Sequence, residues 1–124
     1  MFVHLNTHSI YSPMRGLLSL PEMMDLAKSC SMDTVALTDV NGLWGFIRFV
    51  QHCRSSRINP IAGVNLITNK QEVLILVENQ YGYENLCRII SSMHDEPNGD
   101  IPDILRKYHS GVFVLSYNIS TLKE

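Results

Sequence analysis

The sequence predicts an α/β fold: a mostly parallel sheet with helices on its outer face. Three observations lead there. Short β-branched and apolar runs alternate with longer segments of helical periodicity. Clusters of Pro, Gly and Asn punctuate them. The run Thr34-Val35-Ala36-Leu37-Thr38 is nearly continuous in apolar character, as a strand covered on both faces must be. A chain of 124 residues with 45% apolar content supports one domain, spanning 1–124, around one core. The formal charge of −2 gives no broad electrostatic case for direct contact with DNA or an anionic membrane. No apolar run approaches the ~20 residues of a membrane span, and Met1-Phe2-Val3-His4 lacks the basic start of a signal peptide, so the cytoplasm is the expected location. Cys30, Cys53 and Cys87 are widely spaced, match no zinc-knuckle or CxxC pattern, and read as buried thiols.

Val3-His4-Leu5-Asn6-Thr7-His8-Ser9 reads as a first strand, with Asn6 and His8 on one face. Two imidazoles at that spacing would make a good clamp for a divalent metal, but the first tooth is Asn, a poor zinc ligand. His4 is too far along the strand, about 13 Å, to share a metal with His8. Residues 10–16 form a loop through Pro13 and Gly16. Ser19-Leu20-Pro21-Glu22 is a complete helix start with a capping box, and the helix runs to about Cys30, with Met23, Met24, Leu26 and Ala27 as the face to bury. The strand at 34–38 ends on Asp39. A second helix is expected over Leu43 to Arg54, and Asn59-Pro60 stops it before a third strand, Ile61 to Thr68.

Thr68-Asn69-Lys70-Gln71 is a polar turn, so a hairpin joins that strand to a fourth, Glu72 to Val77. A third helix spans Tyr83 to Met93, and Asp100 caps a fourth that Gly111 closes. Val112 to Ser116 is the fifth strand, and Tyr117 to Glu124 trails off, leaving that strand's side uncovered. The remaining imidazoles, His52, His94 and His109, have no acidic or Cys partner at ligand spacing; His109 is placed to cap a helix C-terminus. Ser9 and Ser12 lack the strand-turn-helix elbow of a nucleophilic serine. Trp44 is read as core or interface.

Several segments, in this order and at these intervals, resemble the opening of the PHP domain of bacterial DNA polymerase III alpha subunits. They are Val3 to Ser9, Tyr11-Ser12, Gly16, Ala36-Leu37-Thr38-Asp39, Gly42-Leu43-Trp44-Gly45, Asn59-Pro60-Ile61-Ala62-Gly63 and Gly82-Tyr83-Glu84-Asn85-Leu86. Together they cover nearly the whole chain. Gly42 to Gly45 followed by Phe46-Ile47-Arg48-Phe49 leans towards the error-prone type of alpha subunit. The resemblance implies a distorted TIM-like β/α barrel, of which this chain would be the first half, a single partial PHP domain. It also implies a place in a DNA replication or translesion polymerase, a nucleotidyltransferase whose catalytic aspartates would lie elsewhere. Its partners would be the remainder of the alpha subunit and other replisome subunits, and a second copy could close the open sheet as a homodimer.

Intact family members carry zinc or manganese at the C-terminal ends of the strands. At the matching positions this sequence has Asn6 for the first His, His8 kept, Arg15 for an acid and Val40 for a His. Asn65 stands for an acid, Glu72 for a His and Asn118 for a Cys. Val40 cannot coordinate, and Arg15 brings a permanent positive charge to the place of a dication. His8 with Glu72 as a weak second candidate falls short of the three protein ligands of a catalytic zinc. No metal cofactor and no catalytic residue are therefore expected. Asp39 survives without its metal neighbours, and a buried carboxylate needs a partner. The expectation is that Arg15 fills the vacated place and pairs with Asp39 or Glu72, pinning the site as a metal would. The competing functions are a metal-dependent phosphoesterase of the same superfamily and a stand-alone interaction module.

Overall fold

Helix α1, Leu20–Ser29, starts where the capping box places it. Ser19 N–H donates to the Glu22 carboxylate (2.8 Å), Glu22 N–H reaches back to Ser19 Oγ (3.4 Å), and Pro21 sits where no N–H is needed. Its buried face, Leu20, Met23, Met24 and Ala27, lies against β1, Thr34–Leu37, and α2, Phe46–Ser56, whereas Leu26, expected on that face, is 51% exposed. The computed structural model describes residues 2–120; Met1 and the last four positions of the expected 117–124 tail lie outside the described residues.

The order continues with β2, Asn59–Ile67, β3, Glu72–Val77, α3, Gln80–Asp95, α4, Ile101–Tyr108, and β4, Val112–Leu115. The sheet order is β1-β2-β3-β4. The α/β class is the one expected, but the strand directions are mixed rather than mostly parallel. Only β1 and β2 run parallel, Thr34 facing Asn59, whereas β2–β3 and β3–β4 are antiparallel. The hairpin at 68–71 reverses the chain in four residues, too few for a parallel crossover. Thr68 holds that turn: its N–H donates to the Gln71 carbonyl (2.9 Å) and its Oγ1 accepts from Gln71 N–H (3.0 Å).

The first expected strand is not a strand of the sheet. Residues 3–9 run beside β1, with Ala36 N–H reaching His4 O (3.4 Å) and Thr38 N–H reaching Thr7 O (2.8 Å). Thr7 N–H, however, donates to the Thr38 hydroxyl (2.8 Å) instead of a backbone carbonyl, which interrupts the ladder. Two helices start elsewhere than expected, and each ends two residues later, at Ser56 and Asp95. The second helix begins at Phe46 rather than Leu43, because 43–45 form a turn in which the Tyr11 ring lies against Gly45 and leaves no room for a Cβ. The third helix starts at Gln80 rather than Tyr83, capped by Asn79 Oδ1 accepting from Gly82 N–H (2.9 Å). Asp100 stands at the N-cap of α4, but its side chain makes no cap bond. A Cβ on Gly82 would strike the Gly111 carbonyl, and Gly111 itself takes φ +75°, so this junction of α3 with the entry to β4 requires both glycines.

Two apolar clusters lie on the helix side of the sheet. One joins α1, β1 and α2 around Met24, Phe49 and Cys53; the other joins β2, β3, α3 and Ile101 around Leu66, Ile75, Leu86 and Ile89. Burial of each large side chain contributes about 1.5–3 kcal/mol. Of the thiols expected to be buried, only Cys53 is; Cys30, in the C-cap turn of α1, is exposed and Cys87 is intermediate. Burial pushes the Cys53 thiol pKa up to about 11.

Candidate functional site

The polar face of the sheet gathers its groups where β1 and β2 end and β3 begins, under the loop that precedes α1. Asp39, one residue past Thr38 and 1% exposed, is the anchor. Its Oδ1 accepts from Ser9 N–H (2.7 Å) and from Ser12 Oγ–H (2.7 Å), and its Oδ2 from Ser9 Oγ–H (2.8 Å). Each serine oxygen also accepts a backbone N–H: Ser12 Oγ from Val40 (2.9 Å) and Ser9 Oγ from Tyr11 (3.2 Å). One carboxylate thereby ties residues 9–12 to the end of β1, some thirty residues away. Gly16 permits this path, since a Cβ there would collide with the Ser9 carbonyl.

Asn65, buried in β2, is the second centre. Its Nδ2 donates to Glu72 Oε1 (3.0 Å) and faces His8 Nε2 at 3.2 Å, an arrangement in which the imidazole nitrogen accepts. Arg15 Nη1 reaches the same Glu72 oxygen at 3.4 Å. Burial holds the His8 pKa below its ordinary 6.5; the charge of Asp39 opposes that shift, Arg15 adds to it and Glu72 opposes it. These charges surround His8.

The structure thus brings His8, Arg15, Asp39 and Glu72 into one neighbourhood with Asn65, and of the two partners expected for Arg15 it has Glu72. Asp39 instead bonds to Ser9 and Ser12 and is not paired with Arg15. Nor is the Arg15–Glu72 pair a buried pin, since its side chains are 45% and 41% exposed. Val40 forms a bridge with Asn65 in backbone pairing only. Asn6 accepts from the Thr38 hydroxyl (3.2 Å), and Asn118 Oδ1 is occupied by Ser120 N–H (3.0 Å) and Oγ–H (2.6 Å). Ser9, at the end of the first expected strand, and Ser12, in the loop after it, carry no mark of this role in the sequence; contacts across sequence separations of 30 and 27 leave no local signal.

Outside this cluster, His94 Nε2 lies 2.8 Å from the Asn41 carbonyl in the Val40–Gly45 turn, while Trp44 stands 61% exposed with its ring in a T-shaped contact with the His94 imidazole. Accepting character of the carbonyl makes Nε2 the donor. His109 Nδ1 lies 3.1 Å from the Arg106 carbonyl at the end of α4, the capping position expected of it.

The PHP domain family model matches residues 4–121. The chain belongs to the PHP domain family. Relatives of this PHP domain include the DNA polymerase III subunits alpha of Borreliella burgdorferi, 31% identical over 98% of the chain, and of Bacillus subtilis, 30% identical over 93%. The chain spans only 12% and 11% of those two relatives. Among solved structures, an amidohydrolase from Chromobacterium violaceum superposes with a TM-score of 0.57 at 21% identity, over 77% of this chain and 34% of that one. A protein described as a metal-dependent phosphoesterase from Bifidobacterium adolescentis gives 0.56 at 12% identity, over 75% and 32%. Both likenesses concern the fold, and they place this PHP domain in a TIM-barrel-like architecture.

The metal dependence of such relatives makes the donor set worth testing. Among the described residues no three His, Cys, Asp or Glu side chains gather as a metal requires. The donors that are close are each engaged: Asp39 by two serines, His8 by Asn65, and Glu72 by Asn65 and Arg15. A guanidinium beside the only second-ligand candidate opposes a dication electrostatically. These residues do not fit a three-ligand catalytic zinc.

Proposed function

We propose that this PHP domain is a non-catalytic structural and docking part of a DNA polymerase III alpha-type replication or translesion polymerase, its metal site replaced by a hydrogen-bonded polar cluster. What supports the reading is the engagement of the remaining donors, above all the two serines whose three hydrogen bonds occupy both oxygens of Asp39. Kinship with DNA polymerase III alpha subunits supports the polymerase setting. Nucleotidyl transfer would belong to other parts of such a polypeptide, and the domain would act in the cytoplasm through protein contacts rather than by touching DNA, in line with its charge of −2. The outer edge of β4, with Phe113 and Leu115 exposed, is where further strands of the same polypeptide, or of a second copy, would pair.

The test is direct. The purified chain is incubated with zinc or manganese, desalted and assayed for metal by elemental analysis, and then for hydrolysis of p-nitrophenyl phosphate. Substoichiometric metal and no metal-dependent turnover are expected. One tightly held ion per chain together with turnover would overturn the reading in favour of a phosphoesterase.

A further inference from the structure

The sheet has two edges, and the chain treats them differently. Along the free side of β1 run residues 3–9, whose His4 and Thr7 carbonyls accept from Ala36 N–H (3.4 Å) and Thr38 N–H (2.8 Å), while Thr7 N–H is turned onto the Thr38 hydroxyl (2.8 Å). That edge is covered, and the interrupted ladder offers no regular template beyond it. β4 ends the sheet order on the other side, and among the described residues no backbone group pairs with its outer edge. None of the usual guards stands there. From Ser110 to Asn118 the sequence has no charged residue and no proline, and β4 pairs with β3 residue for residue from Val112 to Leu115 without a bulge.

The two faces of β4 are just as unequal. Val112 and Val114 pack into the helix-covered core, whereas Phe113, 56% exposed, and Leu115, 44% exposed, stand on the opposite face beside Leu76 and Leu74 of β3. A strand that covers this edge must bring apolar side chains to that same face. β4 is itself such a strand. Laid antiparallel on its own copy about a two-fold axis normal to the sheet, with Val114 against Val114 at the axis, it sets Phe113 of each copy opposite Leu115 of the other and keeps all four on one face. No charge within 110–118 opposes the approach. Because the β1 edge is covered, this pairing occupies the one open edge of each copy, and association stops at two.

We propose that two copies of this chain pair through β4 in this register, joining two four-stranded sheets into one. The proposal rests on the open edge named in the functional reading above but not on the state of the polar site, so metal binding and self-association can each fail alone.

Sedimentation velocity of the 124-residue chain from about 1 to 100 μM is combined with hydrogen exchange at residues 112–116. A monomer–dimer equilibrium is expected, with those amides exchanging more slowly as the dimer fills. Leu115→Lys and Phe113→Glu, both at exposed positions, should each weaken the dimer about ten-fold or more while circular dichroism stays unchanged. Mixed in equal amounts, the two variants should associate again to within about three-fold of the parent chain, because in this register alone the introduced lysine faces the introduced glutamate. A chain that stays monomeric at about 100 μM overturns the proposal and leaves the edge to a strand of other origin. A dimer whose 112–116 amides exchange unchanged, a mixture that does not recover, or an assembly that grows past two also overturns it.

Discussion

Replacing Asp39 by Ala tests whether the two serines and the carboxylate form the structural centre of the polar face. Three charge-assisted hydrogen bonds end on Asp39, at 2.7, 2.7 and 2.8 Å. Each contributes about 1.5–3 kcal/mol, and the sum is offset by several kcal/mol for taking a carboxylate out of water. Alanine forfeits the bonds and leaves Ser9 N–H and two hydroxyl protons without their acceptor in a buried place, which costs about 3–5 kcal/mol in total. Asparagine keeps one acceptor where Oδ1 stands and can donate to Ser9 Oγ through its amide, so Asp39→Asn costs about 1–2 kcal/mol. For a domain whose whole stability is ~5–15 kcal/mol the alanine variant approaches the edge of folding. Urea unfolding followed by circular dichroism should lower its midpoint by about 2 M, and hydrogen exchange at Ser9 and Tyr11 should speed up first. A loss below about 0.5 kcal/mol for alanine, or equal losses for alanine and asparagine, would refute the reasoning.

The exposed Arg15–Glu72 pair should behave differently: a double-mutant cycle on Arg15→Ala and Glu72→Ala is expected to give a coupling of at most about 0.5 kcal/mol that fades in high salt. Ser19→Ala removes half of the capping box and should cost about 1 kcal/mol in thermal or urea unfolding. In a thiol titration of the native chain Cys30 should react rapidly, whereas buried Cys53 should react only as fast as the protein opens. Because the folded pKa of Cys53 is raised to about 11 from an ordinary 9.0, the unfolded chain loses the thiol proton first; stability should fall as pH rises from 9 towards 11, and Cys53→Ala should flatten that slope.

Much of the fold was legible because its signals are local. The Ser19 to Glu22 cap, the 68–71 turn and the periodicities of α1 and α3 each lie within a few residues, so the elements fell close to where propensity puts them. Asn79 was overlooked as the α3 cap because Gly82 and Tyr83 made the pattern look as though it began later. Strand direction was harder. A hairpin at 68–71 was readable, but that β4 also runs antiparallel to β3 depends on two successive helices, α3 and α4, in the connection between them. Of the site, sequence reasoning found the participants His8, Arg15, Asp39 and Glu72, since family motifs mark their places. The partners of Asp39 escaped it, because whether a buried carboxylate meets a guanidinium or a pair of hydroxyls is decided by how the 9–16 loop folds back, a tertiary matter.

Since β3 enters the polar face at its first residue, the length of the preceding turn governs which side chain arrives there. Glu72 points to that face and Val73 to the helix-covered core, and successive strand residues alternate. One residue inserted into the Thr68 to Gln71 turn, if taken up by the strand, would exchange the two, leaving valine beside Asn65 and a carboxylate under α3. The identity of this site is therefore written partly in a surface loop that touches none of its chemistry, and drift in loop length offers evolution a route to a different polar face, or to an unfolded chain, that no point substitution at the site would reveal.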